Sequence, residues 1–315
     1  MKNKIKHIVI FASDSFGSYL LEEDLPEVFK MFMLKGAYTL KNRSVVPIFS
    51  SANWTSIFSG VSPSFHGRTQ WNSKASDLLS IYPKLKKINP DSLFKIFKKQ
   101  TSGSTAAFFR GNFFSSILNL KFCDYWTNIV LETDDDVEKV KLDKQTQLIK
   151  DINNIKANEL VVNQFCEYLQ NESPELSLIY VNEPDVTGHN VGHQTQQINQ
   201  TVKQVALWVE QVLQAINHNL KMKNNTLFVF ISDHGGKGKG KDCHGNFNDL
   251  EIHTPIFFYG QGVNNFGEFL EKTIQYDITI TLGWLMNLKL LNYWQGKIIY
   301  SPFKKDVKLH YYERN

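Results

Sequence analysis

Three short apolar runs in this sequence each end on side chains that bind metal ions well. Ile8 to Ala12 is followed by Ser13-Asp14-Ser15, Ser177 to Val181 by a stretch with Asp185 and His189 four residues apart, and Leu227 to Ile231 by Ser232-Asp233-His234-Gly235. Taken singly, each has a plain explanation: Asp14 as a helix N-cap, Asp185 with His189 as a surface helix pair, Asp233-His234-Gly235 as a turn. Together, at the ends of three strand-like runs, they outweigh those readings. Carboxylate and imidazole make the mixed oxygen and nitrogen donor set that suits zinc or a related transition metal, and there are more donors than one tetrahedral ion uses. Two ions on one open face are therefore expected. Such a pair, roughly 4 Å apart, clamps the attacking and leaving oxygens of a phosphoryl group.

A displacement at phosphorus also needs an activated oxygen. The segment Pro47-Ile48-Phe49-Ser50-Ser51-Ala52-Asn53-Trp54 reads as a strand end, a hydroxyl and a helix start. A serine at a helix N-terminus beside a cation ionises more readily, because dipole and ion both favour the alkoxide. Such a serine is the expected nucleophile; the plain alternative is that Ser50 or Ser51 merely caps the helix. Asn53, three residues after Ser50, lies on the first turn, where its amide is expected to donate to a phosphate oxygen.

These groups need a scaffold that brings them together. Ile8 to Ala12, Thr105 to Phe109, Ser177 to Val181, Leu227 to Ile231 and Ile256 to Tyr259 read as strands buried on both faces of a parallel sheet. Between them, Ile198, Val202, Val205, Val209, Val212 and Ile216 recur at spacings of three and four, one apolar stripe on a helix. Leu148, Ile152, Ile155 and Leu160 read as another long helical stretch before the Ser177 strand. The alternation predicts an α/β fold, a three-layer sandwich around a mostly parallel central sheet. One domain spans 1–315, with its functional groups just past the strand C-termini. Residues 68–143 have weaker periodicity and a polar patch from Glu132 to Asp136, and are read as a small cap insertion that would govern substrate choice.

In chain order, Asp14, Ser50-Ser51-Ala52-Asn53-Trp54, Gly60 through Gly67, Glu183-Pro184-Asp185 to Gly188-His189, and Asp233-His234-Gly235 resemble the alkaline phosphatase superfamily. The likeness is closest to its type I phosphodiesterase and nucleotide pyrophosphatase branch. Gln275 to Thr281 and Trp294-Gln295-Gly296 extend it toward the end of the chain. The resemblance implies an alkaline-phosphatase-like fold with one zinc among Asp14, Ser50, Asp233 and His234. It implies a second zinc on Asp185, His189 and a late histidine. His244, in Cys243-His244-Gly245, suits the branch's pattern; His253, just before Thr254-Pro255, resembles the ligand of more distant phosphatases and mutases and is the alternative. His66 reads as structural, His193 as a solvated helix residue and Cys243 as incidental. Trp54 and Thr55 stand where the family frequently has histidine or tyrosine. Neither the proline nor the arginine of the sulfatase formylglycine motif comes after Ser50, which demotes a sulfatase.

The expectation is thus an enzyme: a hydrolase with two Zn2+ ions, a phosphodiesterase or nucleotide pyrophosphatase working through a covalent phosphoserine at Ser50. Its partner would be a small phosphate-ester or nucleotide-like substrate. A phosphomonoesterase or phosphonate hydrolase is the alternative within the superfamily, and a metal-binding pseudoenzyme the alternative of another class. Composition agrees with a globular chain: 315 residues, 42% hydrophobic and 13% aromatic, exclude disorder, collagen and coiled coil. Lys+Arg 35 against Asp+Glu 31 leaves +4, too small and too evenly spread to announce a nucleic-acid polymer or a membrane surface. Three cysteines without paired spacing favour a reducing compartment. The apolar run near the N-terminus is too short for a signal peptide, and no run reaches the ~18 apolar residues of a membrane span, so a cytoplasmic location is expected.

Overall fold

Strand β1 (His7–Ser13) is buried along its whole length, and its side chains alternate between two cores. Ile8, Ile10 and Ala12 enter one; Val9 and Phe11 enter the other. That period of two arises from the pleat, and a strand apolar on both faces must lie inside a sandwich. The computed structural model describes residues 5–22, 24–69, 90–111, 113–134 and 145–303. Its other strands are β2 (Ala37–Arg43), β3 (Thr105–Arg110), β4 (Tyr125–Leu131), β5 (Thr146–Ile149), β6 (Leu176–Val181), β7 (Thr226–Ser232), β8 (His253–Gly260) and β9 (Gly267–Glu268). They form one sheet in the order β5-β4-β3-β6-β1-β7-β8-β2-β9. From β5 through β7 the pairs are parallel; β8 runs antiparallel to both β7 and β2.

The helices are α1 (Glu27–Lys35), α2 (Ser50–Ser59), α3 (Pro63–His66), α4 (Leu93–Gln100), α5 (Phe113–Leu118), α6 (Asn154–Asn171), α7 (Asp185–Val191), α8 (Gln196–His218), α9 (Asp249–Ile252) and α10 (Asp277–Leu285). Helices α2, α4, α5 and α10 pack over the core of Ile8 and Ile10, and α1, α6 and α8 over that of Val9 and Phe11. The three-layer, mostly parallel sandwich expected from the sequence is therefore present. Every residue of the predicted stripe on α8, from Ile198 to Ile216, is buried. Among the described residues, no helix is long and apolar enough to cross a membrane.

The register of β1 decides where the chemistry collects. Ser13 is level with Val181 on one side and with Ser232 on the other. The next residues along each chain segment, Asp14, the 182–189 stretch and Asp233-His234, consequently leave the sheet at one edge, side by side. This is the crevice outside the strand C-termini where open α/β sheets bind ligands.

Two expectations need correction. Leu148, Ile152 and Ile155 do not share one helix: Leu148 lies in β5, Asp151 adopts φ 60°, and α6 begins only at Asn154. A left-handed residue ends the extended run, and the Asn153 side chain, accepting the Lys156 N–H at 2.9 Å, starts the helix afresh. The span 68–143 is not a separate cap in its described parts: α4, β3, α5 and β4 belong to the sandwich. Arg110 of β3, buried, binds Asp134 at 2.6 and 3.0 Å and Asn154 of α6 at 2.8 Å, which fastens this span to the body. Residues 70–89, 112 and 135–143 of that span lie outside the described residues.

Phe230 of β7 sits two residues before Ser232 in a cluster with Phe11, Phe16 and Phe29, ring centroids 5.8, 5.1 and 5.1 Å away. Phe230→Ala is expected to lower unfolding stability by about 3–5 kcal/mol through loss of burial and a cavity. Urea denaturation monitored by circular dichroism checks this; an unchanged midpoint would contradict it.

Candidate metal centre

Helix α2 delivers Ser50 to the edge just described. Phe49, not a serine, occupies its N-cap, Ser50 is the first helical residue, and no side chain caps the N-terminus. The Ser50 hydroxyl is thus not engaged in capping and faces the strand ends. Its Oγ lies 3.4 Å from Oδ1 of Asp14 and 3.1 Å from Nε2 of His234. His234 Nε2 is in turn 3.8 Å from Asp14 Oδ1 and 3.2 Å from Asp233 Oδ2.

A second group adjoins the first. His189 Nε2 lies 3.4 Å from Asp185 Oδ2, one turn earlier on α7, and 3.2 Å from His244 Nε2. His244 Nε2 is 3.6 Å from Asp185 Oδ1, and its ring stacks on that of His234 with centroids 4.2 Å apart. Donor atoms of Asp14, Asp233 and His234 lie within 4.8 Å of one another, and so do those of Asp185, His234 and His244. His253 stands in β8 paired with Arg43 and joins none of these groups. Of the two late histidines, the structure brings His244 to the centre.

The three imidazoles share one arrangement. Nδ1 of His189 meets the Gly240 carbonyl at 2.8 Å, Nδ1 of His234 that of Gly235 at 2.9 Å, and Nδ1 of His244 that of Ile48 at 3.2 Å. A carbonyl only accepts, so each Nδ1 carries a proton and each Nε2 points inward, able to give a lone pair to a cation wherever it holds no second proton. Backbone acceptors on the outer nitrogen are the usual way a protein orients histidines on a metal. Two inward lone pairs 3.2 Å apart, on His189 and His244, repel unless a cation or proton lies between them.

The carboxylates show the same shortage of positive charge. Burial pushes the Asp14 carboxyl well above the usual range, and the charges of Asp233 and Asp185 push it further. Asp233 is raised by burial and by Asp185. Asp185 is pushed up by burial but held below the ordinary carboxylate range by the His189 hydrogen bond and the nearby imidazoles, while Asp185 lifts His189 to about 11. Burial and the charge of His234 bring His244 down to about 3. Asp185 Oδ1 and Asp233 Oδ2 are buried without a hydrogen-bond partner. Buried anions in such number are retained where a cation compensates them. The donor set, the inward lone pairs and the unpartnered oxygens together fit divalent metal.

Asn53 departs from expectation. It is fully buried, its Oδ1 accepts the Val45 N–H at 2.7 Å, and its Nδ2 donates to the Val45 and Phe49 carbonyls at 3.3 and 3.2 Å. Both amide protons are used on the loop that leads into α2, so Asn53 positions Ser50 and does not offer a free donor to a phosphate. His66 is structural as expected, buried with Nε2 3.0 Å from Ser56 Oγ. His193, read as solvated, is buried instead; a side chain at Gly188 or Gly236 would strike its ring. It thereby fastens α7 to the loop after Asp233-His234.

Several supporting residues carried little sequence signal. Glu183 Oε1 accepts from Asn154 at 2.7 Å, and its Oε2 accepts the Thr187 N–H at 3.1 Å, anchoring α7. Gln275 Nε2 donates to the Ser232 and Asp233 carbonyls at 2.9 and 2.6 Å, and the Ser15 N–H donates to Asp233 Oδ1 at 3.0 Å. Trp54 Nε1 and the Tyr180 hydroxyl donate to Asp14 Oδ2 at 3.2 and 2.5 Å. A polar tip near the end of a mostly apolar strand run was the cue for Tyr180.

Known proteins share this architecture. A putative sulfatase from Bacteroides thetaiotaomicron superposes with a TM-score of 0.71 at 14% identity, over 98% of this chain and 76% of that one. Murine ectonucleotide pyrophosphatase/phosphodiesterase 5 in complex with AMP gives 0.65 at 14% identity, over 91% of this chain and 96% of that one. The human counterpart gives 0.66 at 13%, over 92% and 97%. No protein with a curated description matches the sequence. The family model for type I phosphodiesterase / nucleotide pyrophosphatase matches residues 8–249, a span that holds Asp14, Ser50, Asp185, His189, Asp233, His234 and His244. The chain, a hydrolase acting on phosphate or sulfate esters, therefore belongs to the type I phosphodiesterase / nucleotide pyrophosphatase family.

Proposed function

We propose that this protein is a two-zinc phosphodiesterase or nucleotide pyrophosphatase that cleaves small phosphate diesters or nucleotide-like substrates through a phosphoserine at Ser50. The observation that carries this reading is the position of the uncapped Ser50 Oγ, 3.4 Å from Asp14 Oδ1 and 3.1 Å from His234 Nε2, at the N-terminus of α2. Asp14, Ser50, Asp233 and His234 would hold one zinc, and Asp185, His189 and His244 the other. When bound, the metal pair supplies Lewis acidity to the phosphoryl oxygens and eases ionisation of the serine hydroxyl.

The chain's own groups do the rest. Asn53 holds the 45–49 loop, which aims Ser50. The dipole of α2 and the N–H groups of its first turn favour negative charge on Oγ and on the bound phosphoryl group. Ser50 Oγ, its proton lost to solvent, attacks phosphorus in line; the Oγ–P bond forms as the bond to the leaving oxygen breaks, giving a phosphoserine that keeps the substrate's other ester group, and water then cleaves the Oγ–P bond in a second displacement that regenerates Ser50. The murine relative carries AMP, which favours a nucleotide among the candidate diesters. The sulfatase reading is disfavoured by the sequence after Ser50, Ser51-Ala52-Asn53-Trp54, which lacks the proline and arginine of the formylglycine motif. All three cysteines are free thiols, in keeping with a reducing compartment and the proposed cytoplasmic location.

Purified protein with zinc should hydrolyse bis-p-nitrophenyl phosphate faster than p-nitrophenyl phosphate, and leave p-nitrophenyl sulfate untouched. The reverse order of the two phosphates would favour a monoesterase; no turnover of any would favour a pseudoenzyme. Ser50→Ala should lower kcat by about 10³-fold or more while retaining metal, and Ser51→Ala should remain active. Activity lost only in Ser51→Ala would reassign the nucleophile. Elemental analysis should find that His244→Ala retains roughly half the parent zinc and that His253→Ala retains all of it.

A further inference from the structure

The two oxygens of Asp14 have unlike surroundings. Oδ1 faces Ser50 and His234. Oδ2 faces inward and accepts two hydrogen bonds, from the Tyr180 hydroxyl at 2.5 Å and from Trp54 Nε1 at 3.2 Å. An ionised carboxylate oxygen has about two in-plane lone-pair sites, so these donors occupy Oδ2 fully and leave only Oδ1 for a cation. Both donors are rigid: Tyr180 and Trp54 are among the largest fully buried side chains, their rings meet edge to face at 5.5 Å, and Phe114 packs on both, at 4.1 and 5.4 Å.

The donors also come from the elements whose mutual placement matters most. Tyr180 of β6 is level with Ala12 of β1, and Trp54 lies one turn after Ser50 on the same face of α2. Asp14 is thus tied at once to the neighbouring strand and to the helix that bears Ser50. We propose that Tyr180 and Trp54 are positioning residues that lock Asp14 into single-oxygen ligation through Oδ1 and set its distance from Ser50. The inference rests on the zinc reading given above and goes beyond it, because both residues are buried and act on Asp14 through Oδ2, the oxygen turned away from Ser50 and His234.

The test uses Tyr180→Phe and Trp54→Phe, which keep an aromatic ring and remove one donor each, with zinc first stripped by chelation. Zinc constants are measured by competition with a chromophoric chelator, and folding by urea denaturation of the chelated proteins. For Tyr180→Phe the expected result is one zinc equivalent weakened by about 10–100-fold, the scale of lost outer partners on metal ligands, and the other unchanged. With saturating zinc, kcat should fall and KM stay near that of the parent. Restored affinity in Trp54→His, which regains a ring N–H, would support the donor role. Parent-like zinc constants in both phenylalanine variants would overturn the proposal, as would a lowered urea midpoint with unmoved zinc constants. A parent protein that binds no zinc would overturn the functional reading itself, and this inference with it; the parent titration separates the two failures.

Discussion

Three carboxylates and three imidazoles crowd one edge of a β-sheet because β1 lies in parallel register between β6 and β7, with Ser13 level with both Val181 and Ser232. Everything functional in the molecule depends on that alignment. A slip of one residue on either neighbour would turn the next side chain to the opposite face and dissolve the cluster. The alignment is costly in electrostatic energy, since it presses Asp14, Asp185 and Asp233 into a region largely shielded from water. A cation is the natural remedy, and the inward-facing Nε2 atoms provide neutral donors that do not add to the anionic charge.

The surrounding structure keeps this arrangement from relaxing. Backbone carbonyls of Gly240, Gly235 and Ile48 hold the imidazoles by their outer nitrogens. Glu183, Gln275 and the Ser15 N–H hold the segments that carry Asp185 and Asp233. His193 is wedged where a side chain at Gly188 or Gly236 would have to go, which explains glycine at both places without appeal to backbone strain. Each supporting group reaches from a different element, so the centre is braced from several directions at once.

Overall charge says little about such a site. The chain's formal +4 is spread over its length, whereas the centre itself is rich in anions. Affinity for an anionic substrate would come from bound metal and from the N-terminus of α2. The lysines at 237, 239 and 241 lie on the exposed part of the same loop whose Gly240 carbonyl orients His189, so their surroundings are tied to the centre through the backbone.

The strands that carry the site, the long helix α8 and the set Asp14, Ser50, Asp185, His189, Asp233 and His234 were all legible in the order of residues. For the aspartates and histidines these are local facts: continuous apolar runs mark doubly buried strands, and the residues soon after such a run stand at the sheet edge; Ser50 follows no strand, since β2 ends at Arg43, and was legible only as the start of a helix. His244 was preferred with His253 kept as the alternative, because a choice between residues nine positions apart depends on which way a loop folds back. Leu148 was grouped with the helix that follows, because a short apolar run has no period to tell strand from helix, and residues 68–143 were read as a cap, although Thr105 to Phe109 within them already read as a strand, because β3 pairs with β6, distant in sequence. Asn53, Tyr180 and Trp54 belong to the same class. Whether an amide or a hydroxyl meets a phosphate, a loop carbonyl or a neighbouring carboxylate depends on atoms brought close by packing. Those partnerships were settled in three dimensions, since hydrogen bonds act over about 3 Å and sequence spacing does not record distances across the sheet.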